Sequence, residues 1–146
     1  MYVADSKRLT HQGAKRIMTT AVALANEAGI AISCAIVDAG GHIILLERMD
    51  GGRFHTAHSA KTKAVCAASN RRPTTAKGAA GQDLDAAHAL GLALAAGPER
   101  WTAMEGGVPI LVDGHCLGGV GVSGGDWETD VRIAKMSVEA IGASWQ

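Results

Sequence analysis

The segment Pro109–Gly124, PILVDGHCLGGVGVSG, decides the fold of this chain. Apolar runs flank Asp113-Gly114, and a two-residue Asp-Gly step between such runs is a strong signal for a β-hairpin. The second run also contains a GxGxxG pattern, Gly119–Gly124, of the kind found between the first strand and helix of dinucleotide-binding folds. The segment therefore predicts a hairpin and raises the question of a nucleotide site.

The rest of the chain argues against a nucleotide site. A dinucleotide-binding unit needs a second parallel strand with an acidic residue about 20 positions beyond the glycines. Only residues 125–146 follow the pattern, and they are typical of one terminal helix. We interpret Val120 and Val122 as inward side chains of a strand, and Gly119 and Gly121 as positions where a helix or a ligand approaches closely.

Elsewhere the sequence predicts helices around a second hairpin. Apolar residues recur at three- and four-residue spacing from Thr10 to Ala28, and Gly29 then ends that helix. The runs AISCAIVD and HIILLERM flank a turn at Asp38–Gly41 and predict the other hairpin. Further predictions are a small-residue helix from Thr56 to Asn70, short helices within 74–98, and a final helix from Asp126 that buries Val131, Ala134, Val138 and Ile141. This order predicts an α+β fold with an antiparallel sheet built from two hairpins, resembling profilin-like folds.

Composition limits the functional classes. A chain of 146 residues predicts a single domain, 1–146. Lys and Arg number 14, as do Asp and Glu, so we expect no nucleic-acid partner and no membrane partner. Three cysteines without a CxxC spacing indicate reduced thiols, and the N-terminus lacks the apolar core of a signal peptide. We therefore expect a cytoplasmic protein.

Several segments in order resemble one family, the GlcG/HbpS-like family of haem-degrading proteins, which also includes the C-terminal domain of PduO-type cobalamin adenosyltransferases. The segments are LTHQGAKRIM, AIVDAGGHIILLERMDG, AKTKAVCAASNRRPT and EGGVPILVDGHCLGGVGVSGGDWETD. The resemblance implies a profilin-like α+β fold, assembly into homo-oligomers and, in some members, haem binding. It also implies that His11 occupies the place of a histidine assigned as haem-iron ligand in relatives; a solvated residue near a helix N-terminus is the alternative.

Two functions follow as hypotheses, beside a third possibility, a scaffold or accessory subunit without a ligand. The first is binding of a small ligand, with haem or a related tetrapyrrole implied by the resemblance. The alternative is an enzyme, an isomerase or hydrolase, that acts on a small carboxylate metabolite at a subunit-interface pocket. For that chemistry Lys63 supplies a cation, Glu105 a carboxylate, and Gly106-Gly107 backbone N–H groups.

We expect any ligand to lie between the loop Glu105–Pro109 and the start of the final helix, lined by Lys63, Ser123 and Gly124. Glycine-rich backbone and a helix N-terminus both favour an anionic group. A plain helix start is an equal alternative for this turn. His55 and His58 share a helical face but lack a third metal ligand at a recognisable spacing. We also expect a homo-oligomer, because the small residues of 57–68 predict a flat packing surface.

Overall fold

The computed structural model describes all residues, Met1–Gln146, and shows four helices and four strands. In chain order the elements are α1 His11–Ala28, β1 Ser33–Asp38, β2 Ile43–Arg48, α2 His55–Asn70, α3 Ala86–Ala96, β3 Gly107–Val112, β4 His115–Ser123 and α4 Trp127–Glu139. All strands pair antiparallel in one sheet of order β2-β1-β4-β3. The predicted α+β fold with two hairpins is confirmed.

The two hairpins join through their inner strands, β1 and β4. This ladder runs without interruption from Ser33 opposite Ser123 to Asp38 opposite Gly118. Within the second hairpin the register shifts between Ile110 and Leu111, so that Leu117 is an extra residue on β4. The carboxylate of Asp38 orders the first turn by accepting hydrogen bonds from the Gly40 and His42 amides.

Helices cover both faces of the sheet. Side chains alternate along each strand, so that Cys34 and Ile36 enter the core under α1 and α4, while Ala35 and Val37 face α2. The core under α1 and α4 contains the large aliphatic side chains, and the core under α2 consists almost entirely of alanine and valine. These side chains of different size hold the helices on the two faces at different distances from the sheet.

Glycines let α2 approach β3 and β4 much more closely than side chains would allow. A Cβ atom on Gly121 would lie 1.9 Å from the Ala60 carbonyl oxygen, and one on Gly119 would lie 2.2 Å from the Ala64 oxygen. On β3, a Cβ on Gly107 would lie 2.3 Å from the Lys63 oxygen. Gly119 and Gly121 of the GxGxxG pattern therefore lie within a strand and form a surface on which the backbone of α2 packs. They do not belong to a nucleotide-binding turn.

Local sequence accounts for the ends of α1 and α4. Thr10 caps α1 by accepting a hydrogen bond from the Gly13 amide, and Gly29 ends it with a left-handed φ of 69°. Asp126 caps α4 in the same way through the Thr129 amide. None of the helices combines the length and the apolar character needed to cross a lipid bilayer.

Three sequence expectations need correction. In α4, Ala134 and Val138 are buried as predicted, but Val131 is only half-buried and Asp130 is buried instead; Ile141 is half-buried and lies beyond the end of the helix. Segment 74–98 contains one helix, α3, rather than several. The small residues of 57–68 do not form an outer surface, because Ala60, Ala64 and Ala68 are buried against the chain's own sheet.

Candidate functional site

His11 lies exposed in the first turn of α1 and has no hydrogen-bond partner. The residues one and two turns later, Lys15 and Met18, share its face of the helix. Together with Leu45 and Glu47 of β2 they border a cleft of about 240 Å³. The imidazole therefore stands at the edge of a small surface depression of mixed apolar and charged character.

Lys63 lies on the opposite face of the sheet and is buried. Its ammonium group donates a hydrogen bond to the Val122 carbonyl at 2.8 Å and pairs with the Asp130 carboxylate at 3.5 Å. Burial lowers the pKa of the Lys63 ammonium, while the negative charges of Asp130 and Glu105 oppose that shift. Lys63 thus ties α2 to β4 and α4 inside the protein.

Asp130 completes this buried ion pair and was missed by the sequence analysis. Its second carboxylate oxygen accepts a hydrogen bond from the Gly125 amide at 2.9 Å. Burial raises the pKa of the Asp130 carboxyl, and Lys63 and the Gly125 amide act in the opposite direction. A signal was present, because Asp130 lies three and four residues before the apolar Ile133 and Ala134 and so on the buried face of α4.

The loop before β3 reaches the same place. The Gly106 carbonyl accepts a hydrogen bond from the Val122 amide, and the Gly107 amide donates one to the Thr74 hydroxyl. Gly106 has a φ of 118°, and a Cβ there would lie 2.9 Å from the Lys63 Nζ atom. Glu105 is half-buried nearby. The backbone cradle expected around a ligand is thus filled by the protein itself.

The start of α4 is also internally satisfied. Ser123 is buried, and Gly124 takes a φ of 134° where a Cβ would lie 2.7 Å from the Ala31 oxygen. The Gly125 and Thr129 amides are bonded to Asp130 and Asp126. With acidic residues throughout the first turn, this helix start does not attract an anion. The alternative of a plain helix start therefore fits the geometry.

The structure brings together six of the seven candidate ligand residues but not His11. Lys63, Glu105, Gly106, Gly107, Ser123 and Gly124 gather where α2, β3 and the end of β4 meet. None of the five principal clefts borders any of them. The geometry gives these six residues a structural role within the protomer, and their role as ligand contacts stays a prediction.

The two histidines at the start of α2 are exposed, and His58 borders a groove of about 490 Å³ between α2 and α3. No group of three or more His, Cys, Asp or Glu side chains gathers with the geometry to hold a metal ion. The cysteines are all free thiols. Burial raises the pKa of the Cys34 thiol to about 12, so it stays protonated near neutral pH.

Comparison with known proteins agrees with this architecture. The family described as "Haem degrading protein HbpS-like" matches residues 9–139. Protein GlcG of Escherichia coli K12 is 36% identical over 115 residues, which cover 79% of this chain and 81% of GlcG. The crystal structure of Klebsiella pneumoniae protein ORFY superposes with a TM-score of 0.84 at 27% identity, covering 97% of both chains. The crystal structure of a PduOC:haem complex superposes with a TM-score of 0.83 at 25% identity, covering 96% of this chain and 99% of PduOC.

These features define a class of α+β proteins whose four-stranded antiparallel sheet is covered by helices on both faces. Within that class, this chain belongs to the HbpS-like family, which includes the GlcG-type proteins that the sequence resembles.

Proposed function

We propose that this protein binds haem or a related tetrapyrrole, with His11 as a ligand to the iron. The observation that carries the proposal is the likeness of nearly the whole chain to PduOC, a family relative whose structure was solved as a haem complex. The family description as haem-degrading points to the same ligand class. A neutral imidazole is a natural axial ligand to haem iron, and an exposed, unbonded one is available to bind.

The surroundings of His11 fit one side of a haem. The half-buried Leu45 offers an apolar contact beside the buried Met18, and the exposed Lys15 offers a cation for a propionate. When bound, haem would supply iron-centred redox or ligand-binding chemistry. A cleft of about 240 Å³ is smaller than the roughly 300–1,000 Å³ of sites that enclose drug-sized ligands. The rest of the porphyrin would therefore be covered by a second copy of the chain.

Homo-oligomerisation is part of this proposal, and α3 supports it. This helix, AAHALGLALAA, is apolar except for His88, yet it packs closely against no other helix or strand. Leu90 and Leu94, one turn apart, are 61% and 65% exposed. Contiguous exposed apolar surface of this kind marks interaction sites in soluble proteins.

The cytoplasmic location expected from the sequence also belongs to the proposal and rests on the free thiols.

A haemin titration tests the ligand. We expect the purified protein to sharpen and shift the Soret band of haemin to a saturable end point, and His11→Ala to remove that change. His115→Ala is the matched control, because His115 is an exposed histidine at the second hairpin turn, away from the His11 cleft. Unchanged haemin binding by His11→Ala, or a titration that never saturates, would overturn the assignment.

Light scattering tests the assembly. We expect a mass several times the 15.0 kDa of one chain, and a fall towards that mass when Leu90 and Leu94 are both replaced by Glu. Arg132→Glu on the exposed side of α4 changes the net charge by the same amount and should leave the mass unaltered. A wild-type protein that is monomeric at micromolar concentration contradicts this part of the proposal.

A further inference from the structure

A second site lies on the α2 side of the sheet, where three segments distant in sequence enclose a cleft, here called the turn cleft. It consists of two adjoining depressions of about 440 Å³ and about 380 Å³. Gly40, Gly41, Val65 and Arg100 border both. The first hairpin turn forms one wall, the outer face of α2 another, and the residues after α3 the third.

Two cations border the turn cleft without a strong partner. The half-buried Lys61 makes no hydrogen bond and no ion pair, whereas Lys63 and Lys77 each pair with an aspartate. Arg100 contacts only the carboxylate of its neighbour Glu99, at 3.8 Å. The imidazole of His42 stands at the same rim. Glu99 also borders this end, but Lys61 and Arg100 outnumber its single carboxylate and leave a net positive charge available to an anion.

The larger depression, of about 440 Å³, offers different chemistry. Val65 and the half-buried ring of Trp101 give it an apolar wall. The Ser69 hydroxyl has no hydrogen-bond partner, and the Asn70 amide donates only to the Cys66 sulfur, at 3.6 Å. A thioether or thiol sulfur is a weak acceptor, so both side chains are free to bond a ligand. Ligand sites commonly combine an apolar wall with a few such polar groups.

Covalent chemistry is not indicated in the turn cleft. Burial raises the pKa of the Cys66 thiol, while a backbone hydrogen bond with Thr102 and the positive charge of Arg72 act in the opposite direction. A protonated thiol is a poor nucleophile. The turn cleft is therefore equipped to bind rather than to form a bond.

We propose that the turn cleft binds a small organic carboxylate that carries a second hydrogen-bonding group. Its carboxylate lies between Lys61 and Arg100, its short carbon body lies against Trp101, and its second polar group meets Ser69 or Asn70. This site is independent of the proposed haem site, since α1 with His11 packs on the other face of the sheet. The ligand is an organic acid rather than inorganic phosphate, because half of the cleft is apolar and phosphate would leave that wall empty.

Trp101 supplies the readout. We would follow tryptophan fluorescence of the wild-type protein during titration with acetate, pyruvate, succinate, 2-oxoglutarate, citrate and inorganic phosphate. We expect a saturable change with at least one acid that has a second polar group. That acid should bind more tightly than acetate and phosphate. Lys61→Gln and Arg100→Gln should each weaken that binding about tenfold, as expected for a lost charged hydrogen bond.

Two variants complete the test. Lys61→Arg keeps the charge and should retain most of the binding, and Lys77→Gln removes a lysine outside the cleft and should change nothing. The variants should keep the wild-type melting temperature, because Lys61 and Arg100 make no tertiary contact that folding needs. No saturable response below about 10 mM, phosphate binding as tight as any carboxylate, or unchanged affinity in Lys61→Gln would overturn the proposal.

Discussion

Gly121→Ala is the substitution whose effect the structure defines best. The added Cβ would lie 1.9 Å from the Ala60 carbonyl oxygen and 2.7 Å from the Ala64 amide nitrogen. Ordinary contact begins near 3.4 Å, so strand and helix would have to separate by about 1.5 Å (3.4 − 1.9). Both obstructing atoms belong to the helix backbone, so no change of rotamer relieves the clash.

The cost follows from what that separation would disturb. Moving α2 outwards loosens the contacts of Ala60 and Ala64 with the sheet and stretches the hydrogen bond from Lys63 to Val122. Overpacking in cores usually costs about 1–3 kcal/mol, and a clash between backbones belongs at the upper end or above it. For a chain of this size about 3 kcal/mol corresponds to a melting temperature lowered by roughly 10 °C.

Thermal unfolding followed by circular dichroism measures the effect. Gly91→Ala is the control, because nothing lies within 4 Å of a Cβ at that helical position, and it should be neutral or stabilise by up to about 1 kcal/mol. Adding Ala60→Gly to Gly121→Ala should not rescue stability, because the clash is with a carbonyl oxygen rather than a side chain. A melting temperature for Gly121→Ala within about 2 °C of wild type would refute this reasoning.

Three further outcomes can be measured by urea denaturation. Lys63→Met leaves the Asp130 carboxylate buried without its partner and should lower the free energy of unfolding by about 3–5 kcal/mol. The double variant with Asp130→Leu should recover most of that loss, and additive losses would contradict the ion-pair interpretation. Asp126→Ala removes the cap of α4 and should cost about 1 kcal/mol, an effect that Asp126→Asn should largely avoid. Because the Cys34 pKa is raised from 9.0 to about 12, its contribution to stability is complete below pH 9 and is lost as the pH rises towards 12; the free energy of unfolding should therefore decline more steeply above pH 9 in wild type than in Cys34→Ala.

The elements that could be predicted from sequence are those whose signals are local. The turn at Asp38 and the Asp113-Gly114 step identify both hairpins, because turn chemistry is contained within a few residues. The bounds of α1 follow from its apolar spacing and from Gly29. The long-range pairing of β1 with β4 carries no such local signal. The sequence also did not indicate that α2 is the helix that packs on Gly119 and Gly121.

The candidate site was harder to predict because its residues are defined by packing. A lysine on an alanine-rich helix is usually solvated, yet Lys63 is buried because glycines on two strands bring α2 down to the sheet. The exposure of α3 carried no sequence signal, since an apolar helix is typically buried and this one is exposed in the protomer. The turn cleft joins residues 39–42, 61–70 and 96–101, whose meeting no spacing in the sequence indicates.

The glycine surface under α2 also bears on the order in which the chain folds. Helix α2 has no side-chain N-cap, and its buried residues pack both on β1, which precedes it in the chain, and on β3 and β4, which are synthesised later. Short helices are marginal in water without such packing. During synthesis α2 can first pack on β1 of the first hairpin, and it gains its remaining contacts only when β4 inserts beside β1. The packing of α2 is therefore completed by the C-terminal half of the chain, and truncation before β4 would leave the helix with β1 but without the glycine surface that covers most of its buried face.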